Sequence, residues 1–226
     1  MAPRTQRDTG PNDGPAVAPG RFDVLLIAMT CVYLLSAFTT GRWIDALRVL
    51  LFTAVALLAL RNSLLPPRTA RLILAAVLAG TAIMLALSFT TETGRGIASI
   101  WAGLVLLFTV AVIVHRVLTF RTVTVQSIYG ALSAYLIIGV AFAAFFAAID
   151  HLSGGHFFAN GRPDSTQTFQ YFSFTTLTTL GYGDFTAAGN FGRALADLEA
   201  LTGQILLVTL VAFLVTRFRA SGEQQH

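Results

Sequence analysis

The sequence predicts an all-α membrane protein, and its composition and the spacing of its apolar runs lead to this fold class. Of the 226 residues, 55% are hydrophobic and only 12% are charged, and the mean hydropathy is +0.70. These values are typical of a chain that crosses a lipid bilayer several times. Long apolar runs recur along the chain, with most charged residues between them. We therefore take the lipid bilayer as the solvent of most of the chain.

Six apolar stretches are candidates for the spanning helices. A helix that crosses the hydrocarbon core needs about 20 mainly apolar residues. The predicted spans are Asp23–Thr40, Ile44–Leu60, Leu72–Phe89, Ile97–Leu118, Val125–Ile149 and Ala194–Val215. The first two are short, and the Pro66-Pro67 pair separates the second from the third because proline disrupts a helix interior. Residues 1–22, rich in proline and glycine, are expected to form a disordered cytoplasmic tail.

The arginines predict the orientation of the six helices. All fifteen basic residues are arginines, and most lie at the ends of apolar runs. With the N-terminus in the cytoplasm, ten arginines fall in cytoplasmic segments and four in external ones, while Arg48 lies inside the second helix. This excess follows the positive-inside rule. We therefore predict a multi-pass protein of the plasma membrane with both termini cytoplasmic. The sequence has no basic cluster that would indicate a nucleic-acid partner.

A short loop with two glycines precedes the last predicted helix. Residues Thr178 to Asp184 read Thr-Thr-Leu-Gly-Tyr-Gly-Asp. Glycines at alternate positions permit φ values that are closed to other residues, so successive carbonyl oxygens can point the same way. A ring of such carbonyls from several chains can replace the hydration shell of an alkali cation. The loop resembles the selectivity filter of potassium channels, Thr-Val-Gly-Tyr-Gly-Asp, with Leu180 in place of valine.

About a hundred residues from Ser127 onward resemble the two-helix pore module of potassium channels. The resemblance implies an outer helix over 128–149, an exposed turret over 150–164, a re-entrant pore helix capped by Ser165 or Thr166 and ending near Leu177, the filter loop and an inner helix. It also implies a homotetramer, because four filter segments close the ring. K⁺ is the permeant ion, and no other cofactor is expected. The implied K⁺ ligands are Thr179, Leu180, Gly181 and Tyr182, with Gly183 at the outer mouth.

The resemblance assigns supporting roles around the filter. Tyr171 and Phe172 match an aromatic cuff that surrounds it. Thr175 stands where some members of the family carry a glutamate that braces the aspartate at the outer end of the filter. Asp184 therefore needs another partner.

Two residues of the last helix are also singled out. Glu199 is a carboxylate inside the membrane, where a charge is costly and usually faces protein or water. We expect it to lie behind the filter and to hydrogen-bond pore-helix groups such as Thr175 or Thr176. The alternative is a protonated side chain that is merely packed. Gly203 matches the hinge glycine of the inner helix, with close helix packing as an equal alternative.

The first four helices, in residues 23–120, match a voltage-sensor domain in number but not in charge. The fourth predicted span carries only His115 and Arg116 near its cytoplasmic end, and the second carries Arg48. Neither holds the row of arginines that moves through the membrane field. We predict that gating is not conventionally voltage-dependent and that this block serves as a scaffold, contacts lipid or senses another signal. Any cytoplasmic control would need a separate regulatory protein, because only residues 220–226 follow the pore domain at 121–219.

The predicted function is passive, potassium-selective conduction, and the chain is not predicted to be an enzyme. No nucleophile–base pair, metal cluster or phosphate loop stands out in the sequence. A weakly selective cation channel and a nonconducting channel subunit are the alternatives. A potassium transporter subunit is disfavoured, because transporters of that kind carry four diverged filter loops in one chain.

Overall fold

The computed structural model describes residues 22–38, 42–61, 66–119, 124–154, 156–161 and 165–223. Almost all of these residues lie in seven α-helices. The helices are α1 Phe22–Phe38, α2 Arg42–Arg61, α3 Pro67–Ser88, α4 Glu92–Thr119, α5 Val125–Ser153, α6 Thr166–Leu177 and α7 Asn190–Glu223. Phe22, which we had placed in the disordered tail, begins α1 and is buried. The rest of that tail lies outside the described residues.

In the described part of the chain, four helical segments have the length and apolarity of a membrane span, and they support a multi-pass all-α membrane protein. They are Arg68–Ser88, Glu92–Thr119, Val125–Ser153 and Asn190–Ala212. The apolar parts of α1 and α2 are shorter, Phe22–Ser36 and Val49–Leu60. At 1.5 Å per residue each measures less than about 25 Å, against a hydrocarbon core of about 30 Å. Six spans therefore remain a prediction.

Helix α5 joins the two halves of the molecule. It packs against α1 and α4 on one side and against α6 and α7 on the other. The core of the first side contains Phe22 and Leu25 of α1, Leu106 of α4 and Ile137 of α5, all almost completely buried. The front helices are therefore packed directly on the helix that supports the pore half.

A cluster of phenylalanines forms the second core, between α5 and α6. Its fully or nearly fully buried rings include Phe146, Phe157, Phe158, Phe169 and Phe172. Neighbouring centroids among these five rings lie 4.9–5.8 Å apart, a favourable range for aromatic pairs. The expectation of a wholly exposed turret is thus wrong at Phe157 and Phe158, because burial of these two rings folds the segment onto the pore half.

Backbone hydrogen bonds fix this segment to the residues that follow the filter loop. The Ala159 N–H donates to the Thr186 carbonyl, and the Ala188 N–H donates to the Phe157 carbonyl, each at 2.9 Å. Phe158 and Ala187 form the antiparallel bridge between the two segments. Both ends of the filter loop are therefore held, one by α6 and the other by this bridge.

Candidate functional site

Helix α6 occurs where the sequence predicted the pore helix. Its N-cap is Ser165, whose side chain accepts a hydrogen bond from the Thr168 N–H at 3.2 Å, an arrangement that stabilises helix starts. The helix has 12 residues, which corresponds to about 18 Å and is too short to cross a bilayer. It ends at Leu177, one residue before the Thr-Thr-Leu-Gly-Tyr-Gly-Asp loop.

The backbone of the loop alternates in the sign of φ. Thr179, Gly181 and Gly183 have φ values of 58°, 52° and 80°, and the intervening residues do not lie in the positive-φ region. Such an alternation places N–H groups on one side of a segment and carbonyl groups on the other. The two glycines were predicted from the sequence, but Thr179 was not. A β-branched residue at positive φ is a genuine outlier, and strain of this kind is concentrated at functional sites.

Helix α6 holds the N–H side of the loop. The Thr175 carbonyl accepts hydrogen bonds from the N–H groups of Leu180 at 2.8 Å and Gly181 at 3.1 Å. The Thr176 carbonyl accepts one from the Thr179 N–H at 2.9 Å. In a trans peptide the carbonyl points opposite to the N–H of the same unit, and no cis peptide occurs in the described residues. The carbonyls of Thr178, Thr179 and Leu180 therefore point away from α6.

Thr175 supports the loop through its backbone and not through its side chain. Its hydroxyl donates to the Phe172 carbonyl of its own helix at 3.0 Å. A bond within the same turn leaves this hydroxyl turned away from Asp184. The resemblance had led us to expect another partner for Asp184.

That partner is Tyr171. Its hydroxyl lies close enough to the Asp184 carboxylate to interact with it, and its ring lies parallel to the ring of Tyr182, with centroids 6.3 Å apart and an interplanar angle of 2°. The side-chain amide of Asn160 donates to the Asp184 carbonyl at 2.9 Å. Phe172, the other residue predicted in the cuff, is buried in the phenylalanine cluster. Among the ring pairs of the described residues, Tyr171 meets a ring of the loop and Phe172 meets rings of the phenylalanine cluster.

Glu199 of α7 contacts α6. Its side chain is fully buried and hydrogen-bonds the Ser173 hydroxyl, a group of the predicted pore helix other than the Thr175 and Thr176 that the sequence suggested. Ser173 and Leu177 share one face of α6 because they are four residues apart. That face is the one packed on α7.

Gly203 packs one turn beyond Glu199, against Leu177. A Cβ at Gly203 would lie 2.6 Å from the Leu177 carbonyl oxygen. The same carbonyl accepts a hydrogen bond from the Tyr135 hydroxyl of α5 at 3.2 Å. Of the two sequence interpretations of Gly203, the structure favours close packing, because a side chain would collide with backbone. Helix α7 continues through this position to Glu223.

The sequence did not indicate Ser173, Asn160, Tyr135 or Gln204. The Gln204 amide nitrogen of α7 lies 3.5 Å from the Thr179 hydroxyl, at the inner end of the loop. These residues are polar but ordinary in their local sequence. Their contacts with other segments of the chain identify them as part of the site, and the spacing of residues along one helix does not predict those contacts.

The filter loop and one side of α7 are exposed in the single chain. Tyr182 is 67% exposed and Leu180 is 55% exposed. Several apolar residues of α7 share this exposure: Leu198, Leu201, Ile205, Leu207, Val208 and Val211. The loop thus lies at the surface of the single chain.

Two comparisons with known proteins agree with this geometry. Residues 130–220 match a family model described as ion channel. The chain is also 34% identical over 71 residues to the inward rectifier potassium channel Kirbac3.1 of Paramagnetospirillum magnetotacticum. The C-terminal half is thus similar to ion channels, and both matches point to a channel rather than an enzyme.

The similarity is confined to part of each protein. The matched segment covers 31% of this chain and 24% of the relative, so the chain corresponds to about a quarter of that protein's length. No solved structure matches the chain. The four helices before α5 lie outside the matched family model.

Proposed function

We propose that the chain forms one quarter of a potassium-selective channel that conducts K⁺ passively across the plasma membrane. The observation that carries this proposal is the backbone of Thr179 to Gly183. Its φ values alternate in sign, its inner N–H groups bond to the end of α6, and its inner carbonyls point away from that helix. This segment lies within the residues that match the ion channel family.

The proposed K⁺ ligands are the carbonyl oxygens of Thr179 to Tyr182 together with the Thr179 hydroxyl. Rings of carbonyls can replace the water around a dehydrated cation. A single strand of carbonyls cannot surround an ion, so the proposal requires four chains arranged about one axis. The partially negative C-terminus of α6 ends next to the inner part of the loop, where it would favour a cation.

In the proposed topology, α1–α5 and α7 cross the membrane and α6 enters it only part way. Non-helical backbone at membrane depth is tolerated where it lines a water-filled cavity, as a filter does. Both termini would be cytoplasmic. The front helices are proposed as a scaffold, because the arginines of α4 are few. Arg95 pairs with Glu92 at 3.0 Å, and the buried Arg116 lies 5.9 Å from the centre of the Phe22 ring.

Current recording from the purified full chain in planar lipid bilayers tests the proposal. We expect a reversal potential that follows the K⁺ gradient, with little Na⁺ permeability and no steep dependence of opening on voltage. Equal currents of Na⁺ and K⁺ would instead indicate a weakly selective cation channel. A folded, inserted protein without current would indicate a nonconducting subunit.

A pair of glycine variants connects the current to the filter. Gly181 and Gly161 both have positive φ, 52° and 61°, and a Cβ at either position meets no atom of the chain within 4 Å. Alanine therefore imposes a similar backbone strain at both sites, about 1–2 kcal/mol. We expect Gly181→Ala to abolish K⁺ current and Gly161→Ala, outside the loop, to retain it. Equal currents from both variants would contradict the assignment of the filter.

A further inference from the structure

The buried carboxyl group of Glu199 lies at the meeting point of three helices. The Ser173 hydroxyl of α6 is within hydrogen-bond distance of the Glu199 carboxyl group of α7 and of the Gly139 carbonyl oxygen of α5. Glu199 and Ser173 are both fully buried. The second oxygen of Glu199, Oε2, is buried and has no hydrogen-bond partner among the described residues.

Counting hydrogens at Ser173 restricts the charge of Glu199. A serine hydroxyl has one hydrogen to donate and can accept from another donor, whereas a backbone carbonyl can only accept. If Ser173 donates to Gly139, its contact with Glu199 is favourable only when the carboxyl group supplies the hydrogen. If Ser173 donates to Glu199, the contact between the Ser173 and Gly139 oxygens has no hydrogen. Only a protonated Glu199 satisfies both contacts.

The surroundings of Glu199 lead to the same conclusion. In the described part of the chain no arginine forms an ion pair with it. The titratable group that faces it from α5 is Tyr135, which donates its hydroxyl hydrogen to the Leu177 carbonyl instead. An ionised carboxylate with an unsatisfied oxygen is very costly in a buried site, while a neutral carboxylic acid loses much less.

We infer that Glu199 is protonated and donates a hydrogen bond to Ser173, which in turn donates one to the Gly139 carbonyl. These two hydrogen bonds position α6 against α5 and α7. This inference deepens the proposed function and rests on it only for its effect on conduction. The hydrogen bonds of Glu199 affect the filter in two steps. Ser173 fixes the position of α6 between α5 and α7. Two residues later, the Thr175 carbonyl accepts hydrogen bonds from the N–H groups of Leu180 and Gly181. Glu199 is therefore a positioning residue that acts through Ser173.

Infrared difference spectroscopy of the full chain in lipid at neutral pH tests the protonation without any need for conduction. We expect the carbonyl stretch of a neutral carboxylic acid that is lost in Glu199→Gln and shifts in Ser173→Ala. Ser133→Ala is the matched control, because Ser133 is equally buried but bonds only the Tyr129 carbonyl of its own helix. A carboxylate signal for Glu199, or an acid band that Ser173→Ala does not shift, would overturn the inference.

Ion flux from reconstituted vesicles tests the positioning role. Glutamine keeps a neutral donor at this position, whereas leucine fills similar space without one. We expect Glu199→Leu and Ser173→Ala to lower K⁺ flux roughly three- to tenfold, the effect of one lost hydrogen bond, and Glu199→Gln to stay within about twofold of the wild type. Thermal unfolding of each variant shows whether it is folded. A folded Glu199→Leu with wild-type flux would overturn the positioning role.

The two measurements separate this inference from the proposed function. If the wild type carries no K⁺ current, the proposed function fails, but the infrared bands still decide whether Glu199 donates to Ser173. If current is present and the acid band is absent, only the inference fails.

Discussion

Gly203 of α7 packs directly against the backbone of Leu177, the last residue of α6. The contact is so close that a Cβ at Gly203 would lie 2.6 Å from the Leu177 carbonyl oxygen and 2.7 Å from its Cδ1 atom. One turn earlier, Glu199 contacts Ser173, which is also four residues before Leu177. The two helices therefore meet at two successive turns, and these contacts restrict the position of the end of α6 relative to α7.

We predict that Gly203→Ala destabilises the protein and lowers conduction. The new methyl group meets backbone that cannot move aside easily, and overpacking of this kind costs about 1–3 kcal/mol. Thermal unfolding and vesicle flux measure the two effects. Gly189→Ala is the control, because a Cβ there meets no atom within 4 Å and its φ is not positive. A hinge role without a packing role would instead leave the unfolding temperature of Gly203→Ala unchanged.

A second prediction concerns the contact between the Tyr171 hydroxyl and the Asp184 carboxylate. Tyr171→Phe keeps the ring next to Tyr182 and removes only the hydroxyl, so the outer end of the filter loses one restraint. We expect a shorter mean open time in single-channel records, with K⁺ selectivity retained. The double variant with Asp184→Asn should be no worse than the more affected single variant, because both remove the same interaction.

Tyr33→Phe is the matched control for this experiment. The Tyr33 ring packs on Phe174, with centroids 4.7 Å apart, and its hydroxyl has no hydrogen-bond partner among the described residues. Its open time should equal that of the wild type. Additive effects of Tyr171→Phe and Asp184→Asn would show that the two side chains act independently.

A third prediction uses the strained backbone of Thr179. With φ at 58°, a threonine pays about 1–2 kcal/mol that glycine avoids, while glycine loses up to about 1 kcal/mol through chain entropy. Thr179→Gly should therefore leave the free energy of unfolding unchanged or raise it by up to about 1 kcal/mol, while it removes the hydroxyl proposed as an ion ligand and lowers conduction.

The neighbouring Thr178 provides the contrast, because its φ is −82° and its hydroxyl bonds the Phe174 carbonyl. Thr178→Gly should lower the free energy of unfolding by about 1 kcal/mol. Equal destabilisation in the two glycine variants, measured by thermal unfolding, would show that Thr179 is not strained.

A fourth prediction concerns the link between the front helices and the pore helix. The hydroxyl of Ser36 in α1 donates to the side-chain carbonyl of Gln170 in α6 at 2.7 Å, and both residues are buried. Ser36→Ala should leave the Gln170 oxygen without this donor and lower the free energy of unfolding by about 1–3 kcal/mol. Ser133→Ala, which breaks only a bond within its own helix, should have a smaller effect.

The K⁺ flux through the Ser36→Ala variant shows whether conduction depends on the hydrogen bond between Ser36 and Gln170. If the front helices act as a scaffold for the pore helix, K⁺ flux should fall together with stability. Full flux at reduced stability would show that the filter does not depend on α1.

Features governed by neighbours in sequence were predictable. The apolar runs indicated where helices form, because a chain in lipid must satisfy its own backbone hydrogen bonds. Ser165 indicated the start of α6, because a serine cap acts within one turn. Gly181 and Gly183 indicated positive φ, because glycine has no Cβ. The failures were also systematic. Phe157 and Phe158 looked exposed beside polar residues, and only the rings of α5 and α6 bury them.

The sequence by itself determined the all-helical membrane architecture, the position of α6 and the backbone freedom at Gly181 and Gly183, since each depends on local pattern and residue type. The tertiary structure alone decided the partners: Tyr171 for Asp184, Ser173 for Glu199 and Leu177 for Gly203. Such contacts join residues of different elements, up to 134 positions apart in the case of Ser36 and Gln170. They depend on which face each helix turns to its neighbours, and that choice is made by the packing of all the helices together.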